Sequence, residues 1–379
     1  MKSGPGRPDP APHGRLLGWI EQRMNLAELF SFLTHFGLVT VPLDTQRPVR
    51  ELMLDLDAMP VPEYSRGPQV LGVLMAVLFA IEAGTGLLLA FHYRPTPDAA
   101  HASTLTIVRD LPMGGILHHV HAWGALVLIL VVVLRVLRLF WDGLWRAPRE
   151  LLWIAAVALV WLSLQFDFTG RLLVWDATGY WTTVRGLEVV YSLPLIGPSL
   201  AFLLGGRMMG GDVLTRFYAL HVGVLPLFWM ACLYLTFATV RKVGLGTSAA
   251  TQGAARFTTF RRHRYDLLLM ALFLFAVLVT LAVVAPFRFN DAADPYVTPA
   301  GARPPWYMLA SYAIVQCTPL PSSIVGGVLL LFAFGLLLLP WWAPRVSDRL
   351  SQPRLRVTGL VLLIAWVALS VLGMFLDRL

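Results

Sequence analysis

The sequence has 379 residues, of which 57% are hydrophobic and only 14% are charged, and its formal net charge is +8. Such an apolar composition excludes an ordinary soluble domain and places the chain among polytopic membrane proteins. The positive charge does not call for a nucleic-acid partner, because basic residues beside membrane helices anchor cytoplasmic loops to anionic lipid headgroups.

The N-terminal 66 residues are predicted to stay outside the membrane. Residues 1–14 are rich in Pro and Gly and lack an apolar core, which predicts a flexible tail and not a signal peptide. The following segment, GRLLGWIEQRMNLAELFSFLTHFG, places apolar and charged residues at helical spacing. We expect it to form an amphipathic helix on the cytoplasmic membrane surface.

Seven later stretches are long and apolar enough to cross a hydrocarbon core, which takes about 20 helical residues. Backbone polar groups must be paired within each span, so the spans must be helices. The predicted fold class is therefore an all-α integral membrane protein with seven transmembrane helices. The predicted spans are 68–92, 114–140, 150–174, 213–239, 266–286, 322–342 and 356–377.

Basic residues are unevenly distributed among the connections. They concentrate between the fourth and fifth spans and between the sixth and seventh, whereas the first-to-second and fifth-to-sixth connections hold few. Because positively charged loops stay in the cytoplasm, the N-terminus is predicted inside and the C-terminus outside. We expect a multi-pass protein of a bacterial cytoplasmic membrane.

Of the nine histidines, only His121 and His221 lie well inside predicted spans. Each follows its helix start by about eight residues, and both helices run inward, so the two lie ~10–12 Å below the outer surface. Ionisable residues in the membrane are costly and usually functional. Two imidazoles at one depth either ligate an iron from opposite sides or are hydrogen-bonded to neighbouring carbonyls.

From about Gly18 to the C-terminus the sequence resembles the cytochrome b family of quinol:cytochrome c and quinol:plastocyanin oxidoreductases, in particular the photosynthetic branch. The resemblance implies a four-helix haem module, residues 67–250, fused to a three-helix module, residues 251–379, after the tail and surface helix of residues 1–66. The segments that carry it include HYRPTPDAAHASTLTIVRDL, FTGRLLVWDATGYW, LTRFYALHVGVLPL and PPWYMLASYAIVQCTPLP.

The family carries two stacked haems, each held by one histidine from the second span and one from the fourth. By resemblance His121 and His221 are the ligands of the outer haem. At the inner positions this chain has Arg135 on the second span and Leu235 or Thr236 on the fourth. Arginine stays protonated and offers no lone pair to iron. We therefore expect one bis-histidine haem b on the outer side and no second haem.

Further haem-site residues follow from the same resemblance. Gly86 and Gly170 match glycines that let the porphyrin edges approach the backbone, although single glycines in membrane helices are often packing sites. His118 stands where the family has an arginine that pairs with a haem propionate. Arg171 is a candidate for the compensating charge, and Arg216 completes the predicted set.

Two acidic residues near this site also depart from the family. Asp167 precedes Arg171 by one helical turn, so the two form either a self-neutralising pair or part of a propionate or proton-relay site. Glu82 stands where the family usually has glutamine. It serves either a proton path or a neutral hydrogen bond.

The family's quinol-oxidation motif, Pro-Glu-Trp-Tyr, reads Pro304-Pro305-Trp306-Tyr307 here. Its glutamate is thought to accept a quinol proton, and proline has no group that can do so. Trp306 and Tyr307 are predicted to line a quinone pocket, with anchoring at the membrane interface as the equal alternative.

Together these features predict an electron-transfer subunit, not catalytic alone, of a modified quinol-oxidising complex. The resemblance implies quinone and lipid as small-molecule partners, Rieske-type iron–sulfur or cytochrome c subunits as protein partners, and a homodimer. The alternative is a structural membrane platform that keeps the haem but does not oxidise quinol. A transporter is disfavoured, because no pair of spans shows the matched breaks of an inverted repeat.

Overall fold

The computed structural model describes residues 18–20, 22–24, 60–62, 70–193, 195–206, 208–243, 257–299, 304–347 and 352–376. The predicted flexible tail and most of the predicted surface helix lie outside these residues. The described regular structure is nearly all helical, which confirms the all-α membrane class. It also includes one short antiparallel strand pair, β1 (Pro60–Pro62) with β2 (Phe257–Thr259).

The described part of the chain contains thirteen α-helices. They are α1 (Val70–Ala90), α2 (Ala100–Arg109), α3 (Gly114–Trp141), α4 (Glu150–Leu173), α5 (Ala177–Tyr191), α6 (Gly197–Leu203), α7 (Gly211–Ala219), α8 (Leu225–Val243), α9 (Phe260–Val284), α10 (Leu309–Cys317), α11 (Ser322–Leu337), α12 (Leu339–Ser347) and α13 (Gln352–Phe375). A π-helical turn, Leu220–Val224, joins α7 to α8, and a 3₁₀ turn, Trp306–Met308, precedes α10.

Six of the helical spans within the described residues are long and apolar enough to cross a membrane. They are α1, α3, α4, the continuous α7–α8 rod, α9 and α13. A seventh apolar helix, α11, is shorter. Most large apolar side chains of α13 are exposed, which suits contact with lipid tails.

The predicted sixth span, 322–342, is two helices in the structure. Helix α11 ends at Leu337, and α12 starts at Leu339. Pro340 explains the break, because proline has no N–H to donate to the carbonyl four residues earlier and its ring clashes with that carbonyl. The apolar pattern continues across the break, so the pattern alone predicted one longer helix.

Helices α1, α3, α4 and α8 form the core of the first half. Helix α3 packs against α1 and α4, and α4 packs against α8, while α9 lies against α3 and α1. In the centre Phe79 and Trp229 stack with ring centres 4.3 Å apart. The Trp229 indole N–H donates to the Ser163 hydroxyl at 3.1 Å, so the polar atom of this buried ring is paired.

Part of the predicted surface segment is fixed to the start of α4. Arg23 makes a two-pronged ion pair with Glu150, with N–O distances of 2.7 and 2.9 Å. The same guanidinium lies 4.3 Å from the centre of a Trp19 ring. Both charged side chains are buried, and such paired geometry offsets the desolvation of the two ions.

The loop after α4 is held to the loop after α9 by one aspartate. Asp176 caps α5 by accepting the Gly179 N–H at 2.8 Å, and its other oxygen accepts from the Asn290 side chain at 3.1 Å. Backbone hydrogen bonds from Ala177 to Asp291 and from Ala293 to Trp175 extend the contact. This junction ties the loop that leads to Tyr307 to the four-helix core.

We expect Asp176→Ala to destabilise the protein by about 1 to 2 kcal/mol, because it removes a helix cap and the acceptor for Asn290. Thermal unfolding of the detergent-solubilised protein, followed by tryptophan fluorescence, should show a midpoint lower by a few degrees. Asp110→Ala is the matched control at an exposed position. Equal midpoints for the two variants would contradict the assigned role.

Candidate functional site

The structure brings His121 and His221 together between α3 and the π-helical turn. Their ring centres lie 6.2 Å apart, and the ring planes are inclined at 72°. The sequence paired these residues by depth alone, and the packing of four helices places the two rings beside each other.

Each of these rings contacts a threonine hydroxyl through Nδ1. Thr85 Oγ1 lies 3.0 Å from His121 Nδ1, and Thr169 Oγ1 lies 3.0 Å from His221 Nδ1. Each hydroxyl donates its own proton to a backbone carbonyl one turn earlier, that of Ile81 or Gln165, at 2.7 Å. The hydroxyl oxygen is therefore the acceptor, Nδ1 is the donor, and Nε2 of each ring keeps its lone pair.

A glycine follows each threonine and makes room for the ring. A Cβ atom at Gly86 would lie 3.1 Å from His121 Cε1, and one at Gly170 would lie 2.9 Å from His221 Cε1. A side chain at either position would push the imidazole away. The atoms nearest to these two predicted glycines thus belong to imidazole rings. Each histidine contacts its own Thr-Gly dipeptide.

The two threonines are functional candidates that the sequence reading missed. Thr85-Gly86 on α1 and Thr169-Gly170 on α4 form a repeated dipeptide. Attention to that repeat, instead of to the glycines alone, would have identified the hydroxyls.

Glu82 adds a carboxylate to one side of the pair. Its Oε2 lies 3.1 Å from His121 Nδ1 and its side chain is 11% exposed. The other oxygen, Oε1, has no hydrogen-bond partner among the described residues. Glu82 therefore contacts His121, and this contact is compatible with both a proton path and a neutral hydrogen bond.

The π-helical turn at Leu220–Val224 sets which residues of α8 lie below His221. A π turn contains one more residue than an α-helical turn. The residue that lies on the same helix face as His221 four turns later is therefore fifteen positions after it in the sequence, and not fourteen. Thr236 is that residue, and it is 1% exposed. Thr236, and not Leu235, is the inner counterpart of His221.

A guanidinium occupies the inner position on α3. Arg135 is 6% exposed, and a Cβ at Gly72 would lie 2.8 Å from its Nη1. Gly72 thus contacts Arg135 as Gly86 contacts His121. Within the described residues, Arg135 Nε and the hydroxyls of Thr236 and Thr239 have no hydrogen-bond partner.

The remaining predicted haem-site residues have other partners. The His118 ring lies against His119 and Phe289, with ring centres 5.4 and 5.1 Å away. Arg216 donates to the carbonyl of Phe202, and to that of Leu203 at 3.0 Å, at the end of α6. The hydrogen bonds of Arg216 therefore hold a loop.

Asp167, Arg171 and Tyr307 form a second polar cluster. Arg171 Nε and Nη2 lie 2.7 and 3.2 Å from the two Asp167 oxygens, and the Tyr307 hydroxyl donates to Asp167 Oδ2 at 2.8 Å. Burial raises the pKa of Tyr307 well above its usual value, Asp167 raises it further, and Arg171 opposes the shift. Trp306, in contrast, is 49% exposed.

Comparisons with known proteins agree with this architecture. Residues 58–244 match the family model described as Cytochrome b/b6/petB, and residues 292–377 match Cytochrome b(C-terminal)/b6/petD. A cytochrome bc complex cytochrome b subunit of Chlorobaculum thiosulfatiphilum is 33% identical over 307 residues, 77% of this chain and 70% of that protein. Cytochrome b6 of Heliobacterium modesticaldum is 38% identical over 193 residues, 50% of this chain and 91% of its own length.

A solved structure shares the fold. A chain of a hyperthermophilic respiratory Complex III superposes with a TM-score of 0.75 at 24% identity, covering 89% of this chain and 91% of that one. The helical fold of this chain is thus shared with a solved structure.

Proposed function

This chain belongs to the cytochrome b family, whose members bind b-type haem, and we propose that it carries one such haem between His121 and His221. It is a membrane electron-transfer subunit of the bc-complex type. When bound between two histidines, a low-spin haem supplies one-electron transfer.

The spacing of the two rings is the observation that carries this proposal. A metal–imidazole bond is about 2 Å long, so two rings on opposite sides of one ion have centres about 6 Å apart. The measured separation is 6.2 Å. The Nδ1 contacts with Thr85 and Thr169 leave both Nε2 atoms free to bind the metal, and they fix the ring orientations as outer-shell partners do.

The residues in the inner half of the bundle support the proposal of one haem and not two. Arg135 and Thr236 stand at the two inner ligand positions, and neither offers a ligand for haem iron. The Arg135 guanidinium also fills the space beside Gly72. With one haem near the outer side of a ~30 Å core, electrons lack the inner relay. We therefore infer a modified complex that exchanges electrons at its outer face.

We also propose the bounds of the two modules, the partners of the chain and its membrane location. The haem module is residues 67–250 and the C-terminal module is residues 251–379. The partners are quinone, lipid and Rieske-type iron–sulfur or cytochrome c subunits, in a homodimer. The chain resides in a bacterial cytoplasmic membrane with its N-terminus in the cytoplasm. The presence of Pro305 at the motif's glutamate position favours a second candidate, a platform that holds the haem without oxidising quinol.

Replacement of either ligand tests the proposed site. We expect His121→Ala and His221→Ala each to abolish the low-spin bis-histidine absorption spectrum of the purified protein, because one of the two histidines that would hold the haem is lost. His92→Ala changes an exposed histidine and should leave the spectrum unchanged. A bis-histidine spectrum that persists in either ligand variant would show that the assignment is wrong.

The threonine contacts should tune the haem potential. Thr169→Val keeps the side-chain shape but removes the acceptor for His221 Nδ1, which makes the ring less electron-donating and favours reduced iron. We expect the midpoint potential to rise by roughly tens of millivolts, the equivalent of one hydrogen bond of about 1 kcal/mol. Optical redox titration measures the shift. Thr169→Ser should stay near wild type, and an unchanged potential in Thr169→Val would rule out the contact.

A further inference from the structure

The cluster of Asp167, Arg171 and Tyr307 joins the two halves of the protein. Tyr307 lies just before α10, and Asp167 lies in the last two turns of α4. Their side chains meet at 2.8 Å although the residues are 140 positions apart. Both residues are 9% exposed. A buried carboxylate and phenol brought together from distant segments form a defined polar site in an apolar setting.

The cluster contains a proton acceptor, the Asp167 carboxylate, and a positive charge that balances it, the Arg171 guanidinium. Arg171 donates hydrogen bonds to both Asp167 oxygens and places a positive charge beside the carboxylate. Because the pKa of Tyr307 is raised, its hydroxyl does not ionise by itself. It passes a proton to Asp167 only while it receives another from a donor on its other side.

The residue Pro305 explains why such a cluster would be needed. It stands two residues before Tyr307, at the motif position where the family has its proton-accepting glutamate, and it has no titratable group. We propose that Asp167, reached through the Tyr307 hydroxyl, accepts the quinol proton in place of that glutamate. This inference rests on the proposed function, since it requires that the complex oxidises quinol.

The step transfers one proton and one electron. The quinol O–H bond breaks, and its proton forms a new O–H bond on Tyr307 while the original Tyr307 proton moves to Asp167. The electron goes to a one-electron acceptor of the iron–sulfur or cytochrome class on a partner subunit, and the quinol becomes a neutral semiquinone. Tyr307 ends in its starting state, and Asp167 ends neutral.

Arg171 lies between Asp167 and the accessible surface. Its side chain is 37% exposed, whereas that of Asp167 is 8% exposed. The guanidinium therefore borders the accessible surface on one side and the buried carboxylate on the other. Arg171 acts here as a positioning residue.

The test uses the complete complex, with short-chain ubiquinol and menaquinol analogues as donors and cytochrome c as acceptor. We expect Asp167→Asn to lower kcat about 100-fold, the usual effect of losing an acid–base group, while KM changes less than about twofold. The haem spectrum should stay that of wild type. Glu188→Gln, an acid-to-amide change at an exposed residue of α5, is the matched control and should retain full activity.

Rescue separates proton transfer from simple bridging of the two halves. Adding Pro305→Glu to Asp167→Asn should restore most of the lost kcat, because a carboxylate returns to the motif position, whereas the Asp167 contact stays lost. Tyr307→Phe keeps the Asp167–Arg171 pair and should lower kcat as Asp167→Asn does. It also provides the measurement if Asp167→Asn fails to assemble.

The outcomes distinguish this inference from the proposed function. Wild-type kcat in Asp167→Asn or Tyr307→Phe overturns the proton-acceptor role and leaves the haem assignment intact. Failure of Pro305→Glu to rescue an assembled Asp167→Asn complex also overturns it. A wild-type complex that contains haem but oxidises neither quinol overturns the inference and favours the platform function, and a complex without haem overturns the proposed function itself.

Discussion

Every polar side chain between the membrane surfaces has to find its partner within the protein, because hydrocarbon offers none. In the outer half the described helices pair several of these groups. His121 and His221 each contact a threonine, and Asp167 is paired with Arg171 and Tyr307. These contacts join α1 to α3 and α4 to the π-helical turn, and they tie α4 to the segment that contains Tyr307.

The inner half of the bundle differs, because Arg135 Nε and the Thr236 hydroxyl have no hydrogen-bond partner among the described residues. Arg135 and Thr236 stand at the positions where the family, by resemblance, has its inner ligand pair, and the Arg135 guanidinium packs on Gly72. The two halves therefore share one scaffold but hold different chemistry. The changes coincide with the loss of the motif glutamate at Pro305. We propose that both changes belong to one modified electron path.

Hydropathy and depth were sufficient to predict the membrane class, most of the spans and the pairing of His121 with His221. They could not predict the Asp167–Tyr307 contact, since nothing local links residues 140 positions apart. The apolar pattern also continued through Pro340, where the helix breaks. The extra residue of the π turn at Leu220–Val224 decides between Leu235 and Thr236, and its presence depends on packing.

The central claim is that one haem lies between His121 and His221 and that the inner position holds none. The most direct measurement is the ratio of haem to polypeptide in the purified protein, from haem extraction together with amino-acid analysis. The account predicts one haem per chain. A ratio of two would contradict the loss of the inner site, and a ratio of zero would contradict the outer site.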